Sequence, residues 1–225
     1  MSGNVLGFDT STPATAVCVL RADGEAFEEE PSVARLREPP GHARELMPAI
    51  DRAIRAAGVG FGELDAVAVG TGPGTFTGLR IWIATARGLA HSRGLPLHPV
   101  LSLAALAAGI ESEIALPLID ARRGEVFGAV YAGGRELAPP FVARPEDVAA
   151  RAPEAALAAG DGSIRFRSAL EDAGIRVAPG ESRMHVVRGL HICRLAATAE
   201  PAPPESVVPC YLRAPDAKPS SRSGG

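Results

Sequence analysis

The chain has 225 residues, of which 46% are hydrophobic and only 4% aromatic, so its core must be built from Ala, Val, Leu and Ile. Its net charge is −3 with both signs spread along the chain, which excludes the basic stripe of a protein that grips a nucleic-acid backbone unaided. Three scattered cysteines without a C-x-x-C pair argue against a disulfide framework or a zinc site. The sequence has no signal-peptide pattern and no apolar run of the ~20 residues that span a bilayer, so we expect a soluble cytoplasmic protein.

The first part of the chain predicts a three-stranded meander. The apolar run Val5–Ser11 ends in polar residues, and residues 14–34 contain two more extended runs around the turn "ADG". Turns of this kind join neighbouring antiparallel strands, so we expect the three strands to pair in chain order.

Two helices and two strands follow the meander. Apolar residues recur at helical spacing over residues 42–58, and Gly58 is a suitable C-terminal stop. Pro48 favours a helix start near Glu45, because proline is best tolerated in a first turn. The run "DAVAVG" predicts a buried strand, a second helix extends to about His91, and "PLHPVLS" predicts another strand.

The same order of elements then begins again. Residues 114–142 predict three strands separated by turns, and a short helix and the strand "EAALAAGDG" follow. Asp9 and Asp120 each close the first strand of their half. The sequence therefore predicts two related α/β lobes, each βββαβα, over residues 1–104 and 105–218, with a flexible tail at 219–225.

The stretch "GTGPGTFTGLR" joins a predicted strand to a predicted helix, as phosphate-binding loops do. It lacks the lysine of a P-loop, and Pro73 removes one backbone donor. A tight strand-to-helix connection is therefore the favoured interpretation. The alternative is a vestigial nucleotide site, whose candidate residues are Asp9, Thr10, Gly72, Gly74 and Asp120.

The sequence contains no motif that brings together the side chains of a metal site or of a catalytic nucleophile. His42 has Leu46 four residues later, and no H-x-x-x-H pair occurs, so we expect His42 to be unpaired and no metal to be bound. The nucleophile motif G-x-S-x-G is also absent. The charged turn "DARRGEV", which begins at Asp120, is read as a solvated hairpin turn.

These stretches together resemble a known family. "GTGPGTFTGLRI", "GFDTSTPATAVCVL", the single "H…LMP", "PLIDARRGEVFGAVY" and "YLRAPDAK" occur in the order found in the TsaB (YeaZ) family of tRNA threonylcarbamoyladenosine biosynthesis. The resemblance extends to about Lys218. Two positions depart from the family pattern: Thr75 stands for serine, and Trp82 stands for glycine.

The resemblance implies an actin-like ATPase (ASKHA) fold and a partner role. Proteins of this family resemble the catalytic subunit TsaD, once labelled glycoprotease-like, but lack its H-x-x-x-H metal site. They form homodimers alone and pair with TsaD, and a small ATPase, TsaE, binds that pair. The complex transfers a threonylcarbamoyl group, made from threonine, bicarbonate and ATP, to the adenosine beside the anticodon of tRNA. ATP and a metal are handled by the partner subunits.

The resemblance also implies that two helices of each chain form the partner interface. Trp82 is expected there either as an anchor or as a residue that changes the packing geometry. The residues expected there are Leu46, Ile50, Ala53, Gly78, Arg80, Trp82, Ala84 and Gly88. The resemblance to the family predicts a pseudoenzyme, that is, a subunit without catalytic activity of its own, which contacts tRNA only within the complex. The alternatives are an independent ASKHA ATPase or phosphotransferase using Asp9 and Asp120, and, less favoured, a metalloprotease.

Overall fold

In a computed structural model of the protein, two five-stranded sheets lie at the centre of the fold. The structure describes residues 3–74 and 76–213, without the side chains at 76–81. The first half contains, in chain order, β1 (Val5–Asp9), β2 (Ala16–Leu20), β3 (Ala26–Glu28), α1 (His42–Ala56), β4 (Ala66–Gly70), α2 (Phe76–Arg93), β5 (Leu97–Val100) and α3 (Ser102–Ala107).

The second half repeats the pattern with shorter helices. Its elements are β6 (Ile114–Arg122), β7 (Glu125–Ala132), β8 (Arg135–Ala143), β9 (Leu157–Ala159), α4 (Asp161–Arg165), α5 (Arg167–Asp172), β10 (Arg176–Val177) and α6 (Gly189–Ala196). A 3-10 turn at Pro145–Ala150 stands where the first half has α1.

The strand order shows the duplication. The first sheet has the order β3-β2-β1-β4-β5 and the second β8-β7-β6-β9-β10, with antiparallel pairing in each meander and parallel pairing elsewhere. Asp9 ends β1, and Asp120 lies near the end of β6, the equivalent strand. The predicted α/β fold with two duplicated lobes is confirmed, and the second lobe carries one strand, β10, that was not predicted.

Three apolar layers hold the sheets. Helices α1 and α2 cover the outer face of the first sheet, with Phe8, Val69 and Trp82 at their contact. The outer face of the second sheet packs on α5 around Leu118 and Leu170. The inner faces of both sheets share one core that includes α3 and α6.

Each of the two helices in the inner layer packs mainly against the sheet of the other half. Helix α3, which follows the first sheet in the chain, packs against β6 and β7 of the second. Helix α6, which follows the second sheet, packs against β1 and β2 of the first. Close approach is made possible by glycine, since Cys193 Sγ lies 2.5 Å from the position that a Cβ on Gly7 would take. The predicted boundary at 104/105 falls inside α3.

Several predicted boundaries need adjustment. Helix α1 begins at His42 rather than near Glu45, so Pro48 lies inside it, while Gly58 has φ +65° and terminates it as predicted. The amphipathic pattern of residues 185–198 predicts a helix that starts at His185, whereas α6 starts at Gly189. The predicted tail at 219–225 lies outside the described residues. Within the described part, no helix has both the length and the apolar character needed to cross a membrane.

Candidate functional site

The glycine-rich turn after β4 is packed tightly against the end of β1. A methyl group on Gly70 would overlap Asp9 Oδ2, and one on Gly74 would lie 2.7 Å from the Ser11 carbonyl oxygen. The peptide bond between Gly72 and Pro73 is cis. The small residues of the turn therefore make room for the chain's own Asp9–Ser11 segment.

Hydrogen bonds occupy both carboxylate oxygens of Asp9. Asp9 Oδ1 accepts from the Ser11 backbone N–H at 2.7 Å and from Ser11 Oγ at 2.6 Å. Asp9 Oδ2 accepts from Ser102 Oγ, and Ser102 Oγ in turn accepts from the Gly72 N–H at 3.0 Å. Burial raises the pKa of Asp9, although these hydrogen bonds oppose the rise.

Some of the polar groups at the turn are used within the chain. The Gly72 N–H, which a phosphate cradle would leave free, donates to Ser102. Both oxygens of Asp9 accept hydrogen bonds from serine side chains, and each oxygen has two lone pairs, so these bonds alone do not exclude a metal ligand. Thr10 Oγ1 is buried and has no hydrogen-bond partner among the described residues. Of the two interpretations of the stretch, the tight connection agrees with these contacts.

His42 is the first residue of α1 and lies near this cluster. Its Nδ1 is 2.9 Å from Thr15 Oγ1, and its ring meets the Trp82 ring edge-on with centroids 5.5 Å apart. Burial lowers the pKa of His42, partly offset by the negative charge of Asp9. In residues 3–74 and 76–213, no three His, Cys, Asp or Glu side chains are grouped so that they could hold a metal ion.

Half of the residues expected at the partner interface lie in the chain's own core. Leu46, Ile50 and Ala53 are buried on the side of α1 that faces the first sheet, and Trp82 is fully buried under α1. Their helical spacing places these apolar side chains against the sheet, and they are therefore not on the surface. Gly78 and Arg80 belong to the stretch whose side chains lie outside the described residues.

The outer side of the same two helices is exposed. Ala84 and Gly88 face outwards on α2, and a Cβ on Gly88 would meet no atom within 4 Å. Met47 on α1 has 52% of its surface exposed. We call Met47, Ala84 and Gly88 the outer helix face. Its small side chains allow another helix to approach closely.

A second cluster of charged residues lines a cleft between the halves. Asp120 and Asp161 are both buried on the wall formed by the second half. Asp161 Oδ1 accepts hydrogen bonds from the Asp120 N–H at 3.2 Å and the Gly162 N–H at 3.0 Å. Burial raises the pKa of Asp161 to about 7, and the neighbouring charge of Asp120 adds to the rise. The cleft has a volume of about 400 Å³.

Arginines neutralise Asp120 at the mouth of this cleft. The Arg122 backbone N–H donates to Asp120 Oδ1 at 2.9 Å, and Arg122 Nη1 donates to Asp120 Oδ2 at 3.1 Å. Arg165 Nη1 approaches Asp120 Oδ2 at 3.4 Å. Arg122 and Arg123 have φ of 61° and 56°, in the left-handed region that non-glycine residues seldom adopt. The turn is solvated as predicted, since Arg122, Arg123 and Gly124 are exposed, while Asp120 at its start is buried.

The structure separates the candidate nucleotide residues into two groups. Asp9, Gly72 and Gly74 meet at the glycine turn, and Thr10 is buried beside them. Asp120 instead lines the interlobe cleft with Asp161. Asp161 is not among the site residues predicted from the sequence, although it follows a predicted strand and stands between two glycines in "AAGDG".

Comparisons with known proteins agree with this fold. The sequence profile of the family described as "TsaD: tRNA N6-adenosine threonylcarbamoyltransferase" matches residues 39–173. An uncharacterized protein of Mycobacterium tuberculosis is 36% identical over 216 residues, which cover 96% of this chain and 94% of that protein. A solved structure, YeaZ from Pseudomonas aeruginosa, has a TM-score of 0.77 and 29% identity, and the match covers 93% of this chain and all of that one.

A relative whose name states a function matches only part of this chain. The tRNA threonylcarbamoyladenosine biosynthesis protein TsaB of Haemophilus influenzae is 35% identical over 127 residues, or 55% of this chain and 51% of that protein. The chain spans 56% of the length of another similar protein, from Mycobacterium leprae.

Proposed function

The chain belongs to the TsaB (YeaZ) family, and from this premise we propose that it is a non-catalytic partner subunit of a TsaD-type enzyme. The pair, together with a TsaE-like ATPase, transfers a threonylcarbamoyl group to the adenosine beside the anticodon of tRNA. The chain forms a homodimer when the partner is absent.

The observation that carries this proposal is the outer helix face. Met47, Ala84 and Gly88 lie exposed on the two helices that cover the first sheet. Small residues let a second pair of helices approach closely, and an exposed methionine adapts to the shape of what it meets. A TsaD-type partner fits this face because its own family profile matches residues 39–173, which include both helices.

The missing histidine pair supports the absence of catalysis by this chain. Leu46 lies in the core, four residues after His42, where a second imidazole would be needed for a metal pair. We therefore place the ATP and metal chemistry in the partner subunits.

The charge of the chain supports tRNA contact through the complex. The net charge is −3, and the arginines at the cleft mouth are paired with Asp120. Binding to nucleic acid depends mainly on cations that are free to neutralise phosphates. We therefore assign most phosphate contacts to the partner.

An independent ATPase is the second candidate, and the interlobe cleft is the observation that favours it. Asp120, Asp161, Arg122 and Arg165 line a space of about 400 Å³ between the two halves. This hypothesis expects the isolated chain to bind ATP with magnesium, and isothermal titration of the purified chain measures it.

Reconstitution tests the proposed role. TsaD, TsaE and the threonylcarbamoyl donor system are incubated with tRNA, with and without this chain, and modified adenosine is measured. We expect modification only when the chain is present. Met47→Asp should reduce both partner binding and modification, whereas Leu137→Asp should not, because Leu137 is exposed to a similar 56% on β8 of the other half. Equal modification without the chain would exclude the partner role.

A further inference from the structure

Residues 202–213, which we call the C-terminal strap, lie across both halves of the protein. Ala202 forms an antiparallel bridge with Leu97, next to the edge of the first sheet. The Cys210 N–H donates to the Thr71 carbonyl at 2.8 Å, just before the glycine turn. Arg213 then reaches the second half, where it pairs with Glu125. The strap is thus attached along its length.

Arg87 of α2 fixes the middle of the strap. Its Nη2 donates to the Val207 carbonyl at 2.6 Å and to the Glu205 carbonyl at 2.9 Å, and its Nε donates to Val207 at 3.1 Å. The Val207 side chain is buried in the core under α2. Because successive side chains of an extended segment point in opposite directions, Val208 faces outwards, and 62% of its surface is exposed.

The strap and α1 lie on opposite flanks of the exposed side of α2. At 100° per residue, Ala84 and Gly88 point outwards, Arg87 points to one flank and Trp82 to the other. Arg87 contacts the strap, whereas Trp82 contacts His42 at the start of α1. The small outward residues of α2 therefore lie between α1 and the strap.

We propose that the C-terminal strap is part of the partner-binding surface, with Val208 contacting the TsaD-type subunit on the side of α2 opposite Met47. This inference rests on the proposed function. A helix seated on Ala84 and Gly88 has an exposed apolar side chain on each side, Met47 from α1 and Val208 from the strap. Arg87 is a positioning residue, because it acts by holding the strap backbone.

The family match favours a TsaD-type chain as the occupant. The profile of that family matches residues 39–173, so such a chain carries counterparts of α1 and α2 that can pair with this face. The strap lies outside the matched range.

Binding measurements with the full-length chain and the TsaD-type subunit of the same organism test the proposal. Val208→Asp places a charge in the proposed contact, and we expect the Kd to rise at least tenfold. Leu137→Asp is the matched control, because it puts the same charge at an equally exposed site on β8, and its Kd should match that of the unchanged chain. Arg87→Ala should also weaken binding, and it should increase amide hydrogen exchange at residues 205–210.

The outcomes separate this inference from the proposed function. If Met47→Asp abolishes binding and Val208→Asp binds like the unchanged chain, the strap proposal is wrong and the partner role stands. If the unchanged chain does not bind the TsaD-type subunit, the proposed function fails, and the strap proposal fails with it. Val208→Ser, which removes apolar surface without adding charge, should show a smaller loss of affinity of the same sign.

Discussion

Glu28 and Arg188 are 160 positions apart in the chain and form an ion pair that joins the two halves. Glu28 Oε2 accepts from Arg188 Nε at 2.9 Å and from Nη2 at 2.6 Å. Glu28 Oε1 also accepts from the Leu190 N–H at 3.2 Å, in the first turn of α6. The carboxylate therefore binds β3, at the edge of the first sheet, to the helix that arrives from the second half.

Replacing Glu28 by glutamine should destabilise the protein by about 3 kcal/mol, because it leaves a largely buried guanidinium without its main counter-charge. Asp51→Asn is the control, since Asp51 pairs with Arg55 on the surface and should change stability by less than ~0.5 kcal/mol. Denaturant unfolding measures both variants. Equal losses would mean that the Glu28 pair contributes no more to stability than the surface pair of Asp51 and Arg55.

The buried carboxyl of Asp161 should make stability depend on pH. Its pKa is about 7 in the folded protein against an ordinary 3.8, so ionisation opposes folding. Its contribution to stability should fall by up to ~1.4 kcal/mol per unit as pH rises from about 4 to about 7, and then remain constant. Asp161→Asn should lack this fall, because an amide does not ionise and its oxygen can still accept the backbone bonds.

The readout for Asp161 is the difference between the unchanged chain and Asp161→Asn in unfolding free energy at about pH 5 and pH 8. Burial lowers the pKa of His42, His185 and His191, and their contribution to stability is lost as pH falls. These opposite effects are common to both proteins and cancel in the difference. A difference that does not change with pH would contradict an elevated pKa at Asp161.

Trp82 should be important for stability rather than for partner contact. Trp82→Gly, which restores the residue typical of the family, empties a fully buried site and should lose about 4 kcal/mol or more. Trp82→Phe should lose much less, because Trp82 Nε1 has no hydrogen-bond partner in the described part of the chain. Thermal unfolding followed by circular dichroism distinguishes the two. If both variants lost the same stability, the packing explanation would be wrong.

Two glycine-to-alanine substitutions should have opposite effects. Gly70→Ala places a methyl group on the Asp9 carboxylate, so we expect a loss of several kcal/mol or failure to fold. Gly88→Ala meets open space on the outside of α2 and should gain about 0.5–1 kcal/mol from helix propensity. Unfolding midpoints measure both effects, and a neutral Gly70→Ala would show that the turn is not packed on Asp9.

Local patterns in the sequence were enough to predict the fold. The repeat of Asp9 and Asp120 at the ends of equivalent strands indicated the duplication, and apolar spacing located most of the helices and strands. The vestigial nucleotide site stays a prediction, and the structure shows a glycine turn that packs closely on Asp9 and Ser11. Its partner Ser102, however, belongs to a later helix, and no local pattern identifies a hydrogen bond over that distance.

The residues of the proposed partner surface were harder to predict from the sequence. Leu46, Ile50, Ala53 and Trp82 were assigned to a partner, but in an amphipathic helix the apolar stripe usually faces the chain's own sheet. On α2 the outer helix face consists of the small residues Ala84 and Gly88, which have a weak signal in the sequence. The pairing of Glu28 with Arg188 and the position of the strap depend on tertiary structure alone.

The exchange of α3 and α6 between the halves has a consequence for dissection of the protein. A polypeptide cut between residues 104 and 105 would divide α3, and the first fragment would lack α6, which covers one side of its sheet. The second fragment would retain α6 without the surface on which it lies. We therefore expect that neither fragment folds stably by itself. Co-expression of the two fragments should restore a native-like complex.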